Sequence, residues 1–336
     1  MSLDEPKENA SFLIIGAGAW GLALANTLAR VNPTVFLWDG DTKLLDSLKK
    51  NRKHPFFCRD IKIHENIKIV LELVESRYDA IVFVTPFQAL ELVVQLVEEK
   101  KIIADYYISA SKGIGINDLK LAHQIMKPLL DKEASFVQLS GPSFAYEVMR
   151  GLPTAVTVGY KGKNVMQFFK SYVHQAKFRT YPTEDYIGVE VGGALKNVIA
   201  IGVGIVDGLE LGANARAALI VRGLNEIRTY GMSRGGESVT FSGLSGLGDL
   251  VLTATDNQSR NRQLGLKIAE FNDVSKALES VGKLVEGYKT SQALDRSKEI
   301  NSENYPIMHE IIEILLRSRK PSEALTRLLS RELRLE

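Results

Sequence analysis

The chain has 336 residues, 45% hydrophobic and 24% charged, the composition of a globular protein long enough for two domains with sizeable cores. A net charge of +2 excludes a polyanionic partner such as nucleic acid, and the single cysteine, Cys58, excludes an internal disulfide and a thiol-built metal centre. The five histidines, His54, His64, His123, His174 and His309, are scattered without an H-E-x-x-H or i, i+4 pairing, so no metal is expected. The start, M-S-L-D-E-P-K-E-N-A, is neither a secretory nor a transit signal. No apolar run approaches the roughly 18 residues of a membrane span. A reduced, soluble, cytoplasmic protein is expected, with Met1 to Ala10 as a disordered tail.

Ser11 to Ile15 reads as a strand, is ended by G-A-G-A-W-G (Gly16 to Gly21), and leads into the helical run L-A-L-A-N-T-L-A-R. This is G-x-G-x-x-G in the context that dinucleotide binding requires, strand before and helix after. Gly16 allows the tight turn, Gly18 lets the backbone approach a pyrophosphate, and Gly21 lets the helix pack on its strand. The helix N-terminus then offers free N–H groups and a dipole to the phosphates. The second strand, Thr34 to Trp38, ends in Asp39, placed where an acid hydrogen-bonds the adenosine ribose. Asp39 and Asp41 favour NAD, because an acid repels a 2′-phosphate, while Lys43 leaves NADP open. Asp41 or Thr42 also reads as a helix N-cap.

The α/β alternation continues with a helix from Thr42 to Lys50, a short strand at Ile67 to Val70 and a buried strand at Asp79 to Val84. A helix from Gln88 to Glu98 precedes a strand at Tyr106 to Ala110, which runs into S-K-G-I. Lys112, beside Gly113 at that strand's carboxyl end, is placed either to meet an anionic substrate or as a solvated loop residue. A strand from Ser135 to Leu139 opens into S-G-P-S-F-A, where Ser143 is available as a hydroxyl donor. Thr154 to Val158 and Lys177 to Tyr181 read as the last strands. Near Pro182 the pattern becomes almost wholly helical, which places the boundary between an α/β domain of doubly wound Rossmann type, residues 11–182, and an all-helical domain, residues 183–336.

The stretch from Asp185 to Asp207 reads as a helix that is apolar on every face after Glu190, except at Lys196-Asn197. A lone buried lysine is either a general acid or base with a depressed pKa, or one that snorkels out or pairs structurally with a carboxylate. Asn214 to Ile227 reads as a helix whose Arg216 and Arg222 serve structure or an interface. In G-L-S-G-L-G-D-L-V-L-T, Asp249 starts a helix with Thr253 one turn later on the same face. It reads as a helix-start acid or as the residue that orients Lys196. S-R-N-R, Ser259 to Arg262, supplies two guanidiniums, a hydroxyl and an amide, a set that suits a phosphate as well as a surface cluster. In V-E-G-Y-K-T, Glu286 is an acid within reach of a cofactor amide, or of nothing.

These motifs, in this order, resemble the bacterial NAD(P)-dependent glycerol-3-phosphate dehydrogenase family. The matching stretches are G-A-G-A-W-G, V-T-P-F-Q-A-L, S-K-G-I, L-S-G-P-S-F-A-Y-E-V, G-L-P-T-A-V-T-V, I-G-V-E-V-G-G-A-L-K-N-V-I-A-I, G-A-N-A-R-A-A-L-I, G-L-S-G-L-G-D-L-V-L-T, S-R-N-R and V-E-G, spanning residues 11–332. The resemblance implies a Rossmann domain followed by a helical domain, the substrate between them, and usually a homodimer. It implies that Lys196 is the proton acceptor, with Asp249 and Lys112 in the catalytic set. Lys112, Gly141, Ser143, Asp249, Ser259, Arg260 and Asn261 would surround the substrate, with Asn197 and Thr253 bonding its oxygens. Ala19, Trp20, Lys112, Ala145, Arg260, Leu284 and Glu286 would correspond to cofactor contacts.

Three departures stand out. Ala19 replaces a frequent Ser or Thr and loses a hydroxyl contact to the pyrophosphate. Gly40 replaces an Arg or His that meets a 2′-phosphate in many members, and Ala254 replaces a frequent Cys with no catalytic role. The implied reaction is reduction of dihydroxyacetone phosphate by hydride transfer to C2, giving glycerol 3-phosphate for phospholipid synthesis. Lys196 would supply the proton, Asp249 would hold it, and Arg260 with Asn261 would grip the phosphate. Two other readings remain open: a dehydrogenase of the same architecture acting on a 3-hydroxy acid or acyl thioester, and a non-catalytic dinucleotide sensor.

Overall fold

The apolar runs of the first half assemble into one eight-stranded sheet in the computed structural model, which describes residues 9–130, 133–282 and 284–331. Its strands are β1 (Ser11–Ile15), β2 (Thr34–Trp38), β3 (Ile67–Ile69), β4 (Ser76–Phe83), β5 (Ile102–Ser109), β6 (Ser135–Ser140), β7 (Thr154–Lys161) and β8 (Phe178–Thr183). Their order is β3-β2-β1-β4-β5-β6-β7-β8. All neighbours run parallel except β6 and β7. The direction of winding reverses where β1 meets β4, and ligands of such sheets bind outside the carboxyl ends of the strands at that point.

The helices of this half are α1 (Ala19–Ala29), α2 (Thr42–Asn51), α3 (Leu90–Glu99), α4 (Ala122–Ile125), α5 (Ala145–Met149) and α6 (Val165–Tyr172). Alternation along β1 shows the two faces. Phe12 and Ile14 pack with Leu24 and Leu28 of α1 and Phe168 of α6, whereas Leu13 and Ile15 pack with Leu90, Val94 and Val97 of α3. A period of two, buried on both faces, is what a parallel sheet covered by helices demands. The domain is therefore doubly wound, as its sequence pattern predicts.

The second half is helical throughout the described residues: α7 (Tyr186–Gly208), α8 (Gly212–Ser233), α9 (Ser238–Phe241), α10 (Asp249–Thr255), α11 (Arg260–Phe271), α12 (Val274–Val281), α13 (Glu286–Ser297), α14 (Pro306–Arg317) and α15 (Pro321–Leu329). α7 is its axis, with every residue from Gly188 to Val206 buried. A Cβ on Gly204 would lie 2.2 Å from the Arg262 carbonyl oxygen, so α11 reaches α7 by backbone contact that only glycine permits. Asp207 near the end of α7 accepts from Arg216 of α8 at 2.6 Å and from Arg262 of α11 at 2.7 Å. This ion pairing ties the ends of three helices together.

The chain divides into two compact units at Tyr186, and Lys112–Leu121 goes with the helical unit. The reason is packing: Ile114 and Leu121 belong to the helical core. Ala10 is 2% exposed and packs in the core of the first unit, so it is no part of a tail; residues 1–8 lie outside the described residues, as do 332–336. Finally, α7 is long and apolar enough to cross a membrane, but its apolar window is wholly buried inside the protein. Its hydrophobicity serves a core.

Candidate active site

The glycine turn lies between the carboxyl end of β1 and the start of α1. Gly16 has φ +115°, and a Cβ there would lie 2.6 Å from the Val84 carbonyl oxygen. On Gly21 a Cβ would lie 1.9 Å from the Gly16 oxygen, whereas on Gly18 it would meet nothing within 4 Å. Two glycines are thus dictated by packing, and the third keeps one side of the turn open. The Asp39 carboxylate braces the turn, accepting from Ala17 N–H at 2.7 Å and from Asp41 N–H at 2.9 Å. Asp41 caps α2 through Leu44 N–H. Ala19 and Trp20 begin α1, and the indole Nε1 of Trp20 is buried without a partner. Gly40 is exposed with open space around its Cα. An open glycine cradle at a helix N-terminus, an acid at the end of β2 and an orphaned buried donor fit a dinucleotide.

Also in the first unit, Gly141 follows β6 with φ +145°, and its carbonyl accepts from the Ser143 hydroxyl at 2.9 Å. Ala145 opens α5.

In the second unit four side chains converge. Asp249, the first residue of α10, is 1% exposed. A single π-helical turn, Leu244–Gly248, delivers it, a distortion frequent at functional sites. One oxygen of Asp249 accepts from Lys196 Nζ, and the other accepts from Lys112 Nζ at 2.6 Å. Lys196 also donates to Thr253 Oγ1 at 2.6 Å. One carboxylate thus lies between two ammoniums in a largely buried setting. Burial, with Lys112 adding to it, lowers the Lys196 pKa to about 8 against the pull of Asp249. Burial works against ionisation of Asp249 as well, but the two lysines outweigh it and hold its pKa below the ordinary value. Lys196 is the more enclosed lysine, with 8% side-chain exposure against 17% for Lys112. It is therefore the group whose proton is poised near neutral pH, as a general acid or base requires.

Asn197 lies next to this cluster on α7. Its Oδ1 accepts from Asn261 Nδ2 at 2.9 Å, and Asn261 Oδ1 in turn accepts from Gly287 N–H at 2.9 Å. Ser259 caps α11, accepting from Arg262 N–H. Arg260 is exposed at the first turn of that helix. The second guanidinium of S-R-N-R is not available to a phosphate: Arg262 is spent on Asp207 and Asn257. Leu284 is exposed, and Glu286 is the first residue of α13.

The structure therefore gathers Lys112, Lys196, Asp249 and Thr253 into one cluster, and Asn197, Asn261 and Gly287 into a second. Pairing of Lys112 with Asp249 went unforeseen, because 137 positions separate them and no spacing rule reaches so far. Gly287 had no signal beyond its place in V-E-G.

A doubly wound sheet with an open glycine cradle, together with a buried lysine poised to exchange a proton, defines a nicotinamide-dinucleotide-dependent oxidoreductase. Comparison with known proteins agrees. The family models for the N-terminus and C-terminus of NAD-dependent glycerol-3-phosphate dehydrogenase match residues 11–166 and 185–326. The chain belongs to this family, and its cofactor is NAD(P). It is 37% identical over 328 residues to glycerol-3-phosphate dehydrogenase [NAD(P)+] of Escherichia fergusonii, covering 97% of each chain. To the protein of the same name from Idiomarina loihiensis it is 35% identical, covering 96% of this chain and 98% of the other. The crystal structure of glycerol-3-phosphate dehydrogenase from Coxiella burnetii superposes with a TM-score of 0.88 at 35% identity, covering 97% of this chain and 100% of that one.

Proposed function

We propose that the protein interconverts dihydroxyacetone phosphate and sn-glycerol 3-phosphate, with Lys196 moving the proton at the C2 oxygen. The observation that carries this reading is the buried Lys196–Asp249 pair with Thr253 at 2.6 Å from the ammonium, in a member of this dehydrogenase family. The bound nicotinamide supplies or accepts the hydride at C2. In reduction, the Lys196 ammonium donates a hydrogen bond to the ketone oxygen and transfers its proton as the alkoxide develops. In oxidation, the neutral amine takes the hydroxyl proton back. Asp249 holds the ammonium in place, and Lys112 adds positive charge that favours an anionic transition state. Asn197 and Thr253 are assigned to the substrate oxygens, and Ser259, Arg260 and Asn261, with Gly141 and Ser143, to the rest of the substrate. Ala19, Trp20, Ala145, Leu284 and Glu286 are assigned to the cofactor.

The same reading favours NADH over NADPH. Asp39 places a carboxylate at the end of β2, and Gly40 has no side chain to meet a 2′-phosphate. A cytoplasmic homodimer supplying glycerol 3-phosphate to phospholipid synthesis completes the proposal, on the resemblance of the motifs.

The test is oxidation of NADH and of NADPH with dihydroxyacetone phosphate, followed by nicotinamide absorbance. Turnover with a higher kcat/KM for NADH is the expected result. Cofactor binding without turnover on this ketone would defeat the assignment and favour a sensor.

A further inference from the structure

β6 is buried along its whole length, and within it Gln138, 1% exposed, is the only long polar side chain. An amide in a strand covered on both faces costs free energy unless it is hydrogen-bonded, so an apolar residue would serve the core better. Its Oε1 accepts no bond. Its Nε2 donates to the Ser111 carbonyl at 3.1 Å and reaches the Leu139 carbonyl only at 3.5 Å.

Ser111, 5% exposed, lies just past the end of the sheet. The pairing of β4 with β5 ends at Phe83 and Ser109, and Ala110 N–H closes it on the Phe83 carbonyl at 2.8 Å. From there side chains take over from main chain. On the β4 side the Ser111 hydroxyl donates to the Thr85 carbonyl at 2.7 Å. On the β6 side Gln138 holds the Ser111 carbonyl. The next residue is Lys112, whose ammonium donates to Asp249 at 2.6 Å.

We propose that Gln138 is a positioning residue for Lys112, its Nε2–H fixing the Ser111 carbonyl and with it the point from which the lysine side chain starts. The reason is the planarity of the peptide, which puts the Ser111 carbonyl and the Lys112 Cα in one rigid plane. That plane is held at its oxygen, and the residue before it is held through its hydroxyl. What remains free is the flexible lysine stem, and the bond to Asp249 takes that up. Without the Gln138 donor the plane can tilt, and a displacement of about 1 Å in a catalytic group can cost about 10²-fold in rate. Gln138 acts through the main chain. The inference rests on Lys112 belonging to the chemistry, as proposed above.

The experiment is a double-mutant cycle on kcat/KM for dihydroxyacetone phosphate with NADH, using wild type, Gln138→Met, Lys112→Met and the double variant, with melting temperatures alongside. Met keeps the length of the glutamine side chain and removes its donor. Lys112→Met should lose about 10²-fold, and Gln138→Met about 3–10-fold, the worth of one hydrogen bond. The double variant should lose no more than Lys112→Met alone, since a residue that acts only by placing Lys112 then has nothing to place. Ser111→Ala removes the other restraint on the same residue and should show the same pattern, which keeps the proposal testable if Gln138→Met folds poorly. Losses that multiply in the double variant, or that appear in melting temperature alone, would overturn the proposal and leave Gln138 as a brace for the end of β5. A Lys112→Met variant as active as wild type would remove Lys112 from the chemistry, and this inference with it. A wild type that leaves the ketone unreduced would defeat the proposed function on which both rest.

Discussion

The two units build their sites from different materials. In the first unit the proposed cofactor cradle is main chain: two of its three motif glycines sit where a Cβ would meet a carbonyl at 1.9 or 2.6 Å, and the third leaves one side open. In the second unit the site is made of side-chain charge, with Lys112 and Lys196 on one buried carboxylate. A main-chain site fails when an atom is added. A charge cluster fails when one charge is removed, even at constant volume. The difference predicts which substitutions damage binding and which damage chemistry.

The largest effect belongs to Lys196→Met. It removes the proposed proton donor while replacing a buried ammonium by an apolar chain of similar length, so kcat should fall by about 10²–10⁴. Stability to urea should hold or rise, because apolar replacement of a buried charge is often neutral or better. Activity within tenfold of wild type would remove Lys196 from the chemistry. Asp249→Asn tests the same cluster from the other side. It leaves two lysines without their carboxylate and should abolish most activity and cost about 3–5 kcal/mol of stability as well.

The pH dependence has a definite sign. Glycerol 3-phosphate oxidation should rise through about pH 8 as Lys196 loses its proton, and ketone reduction should fall over the same range. Because the folded pKa lies below the ordinary 10.5, the unfolded chain holds this proton more tightly, and stability should rise with pH between about 8 and 10.5.

Next come two glycines that the motif treats alike and the structure does not. Gly21→Ala drives a methyl against the Gly16 oxygen with no flexible neighbour to yield, and should destabilise the protein by about 1–3 kcal/mol or more. Gly18→Ala meets nothing within 4 Å. It should leave the melting temperature unchanged while weakening NADH roughly tenfold, since the methyl stands where a pyrophosphate approaches. Equal melting losses in both variants would show that the open side of Gly18 is not what spares the fold.

These contrasts explain what the sequence disclosed. A turn of three glycines between β1 and α1, with Asp39 at the end of β2, is local, and its spacing follows from backbone geometry. The buried helix around Lys196 was legible because a lone charge in an apolar run is conspicuous. The partners of that charge were less so. Asp249 and Thr253 follow one another by a helical turn, but nothing in their spacing points across to Lys112. Arg262 shows the opposite limit: as part of S-R-N-R it suited a phosphate or a surface cluster alike, and only the fold reveals Asp207 in front of it.

The smallest effect comes from a second buried charge in the helical unit, which asks whether a displaced pKa there always marks chemistry. Glu226 of α8 is 6% exposed and accepts from Ile307 and Met308 N–H at 2.7 and 2.9 Å, capping α14 from a distance. Burial raises its pKa to about 7, although the two amides, Arg222 and Arg331 all favour the ionised form. The folded state therefore holds this proton more tightly than the unfolded chain does. Stability from this group is present at low pH and is lost as pH rises from the ordinary value of 4.5 to about 7. Glu226→Gln cannot lose a proton, so wild type should weaken relative to the variant by about 1–3 kcal/mol between the two ends of that window, with kcat unaffected. Urea midpoints of both proteins at about pH 5 and pH 8 measure this. If the difference between them stays constant, Glu226 is ionised throughout, and the helix N-terminus outweighs burial. If it shifts as stated while activity does not, a strongly displaced pKa in this unit is a property of burial, and only the company of a second lysine and a shared carboxylate turns it into chemistry at Lys196.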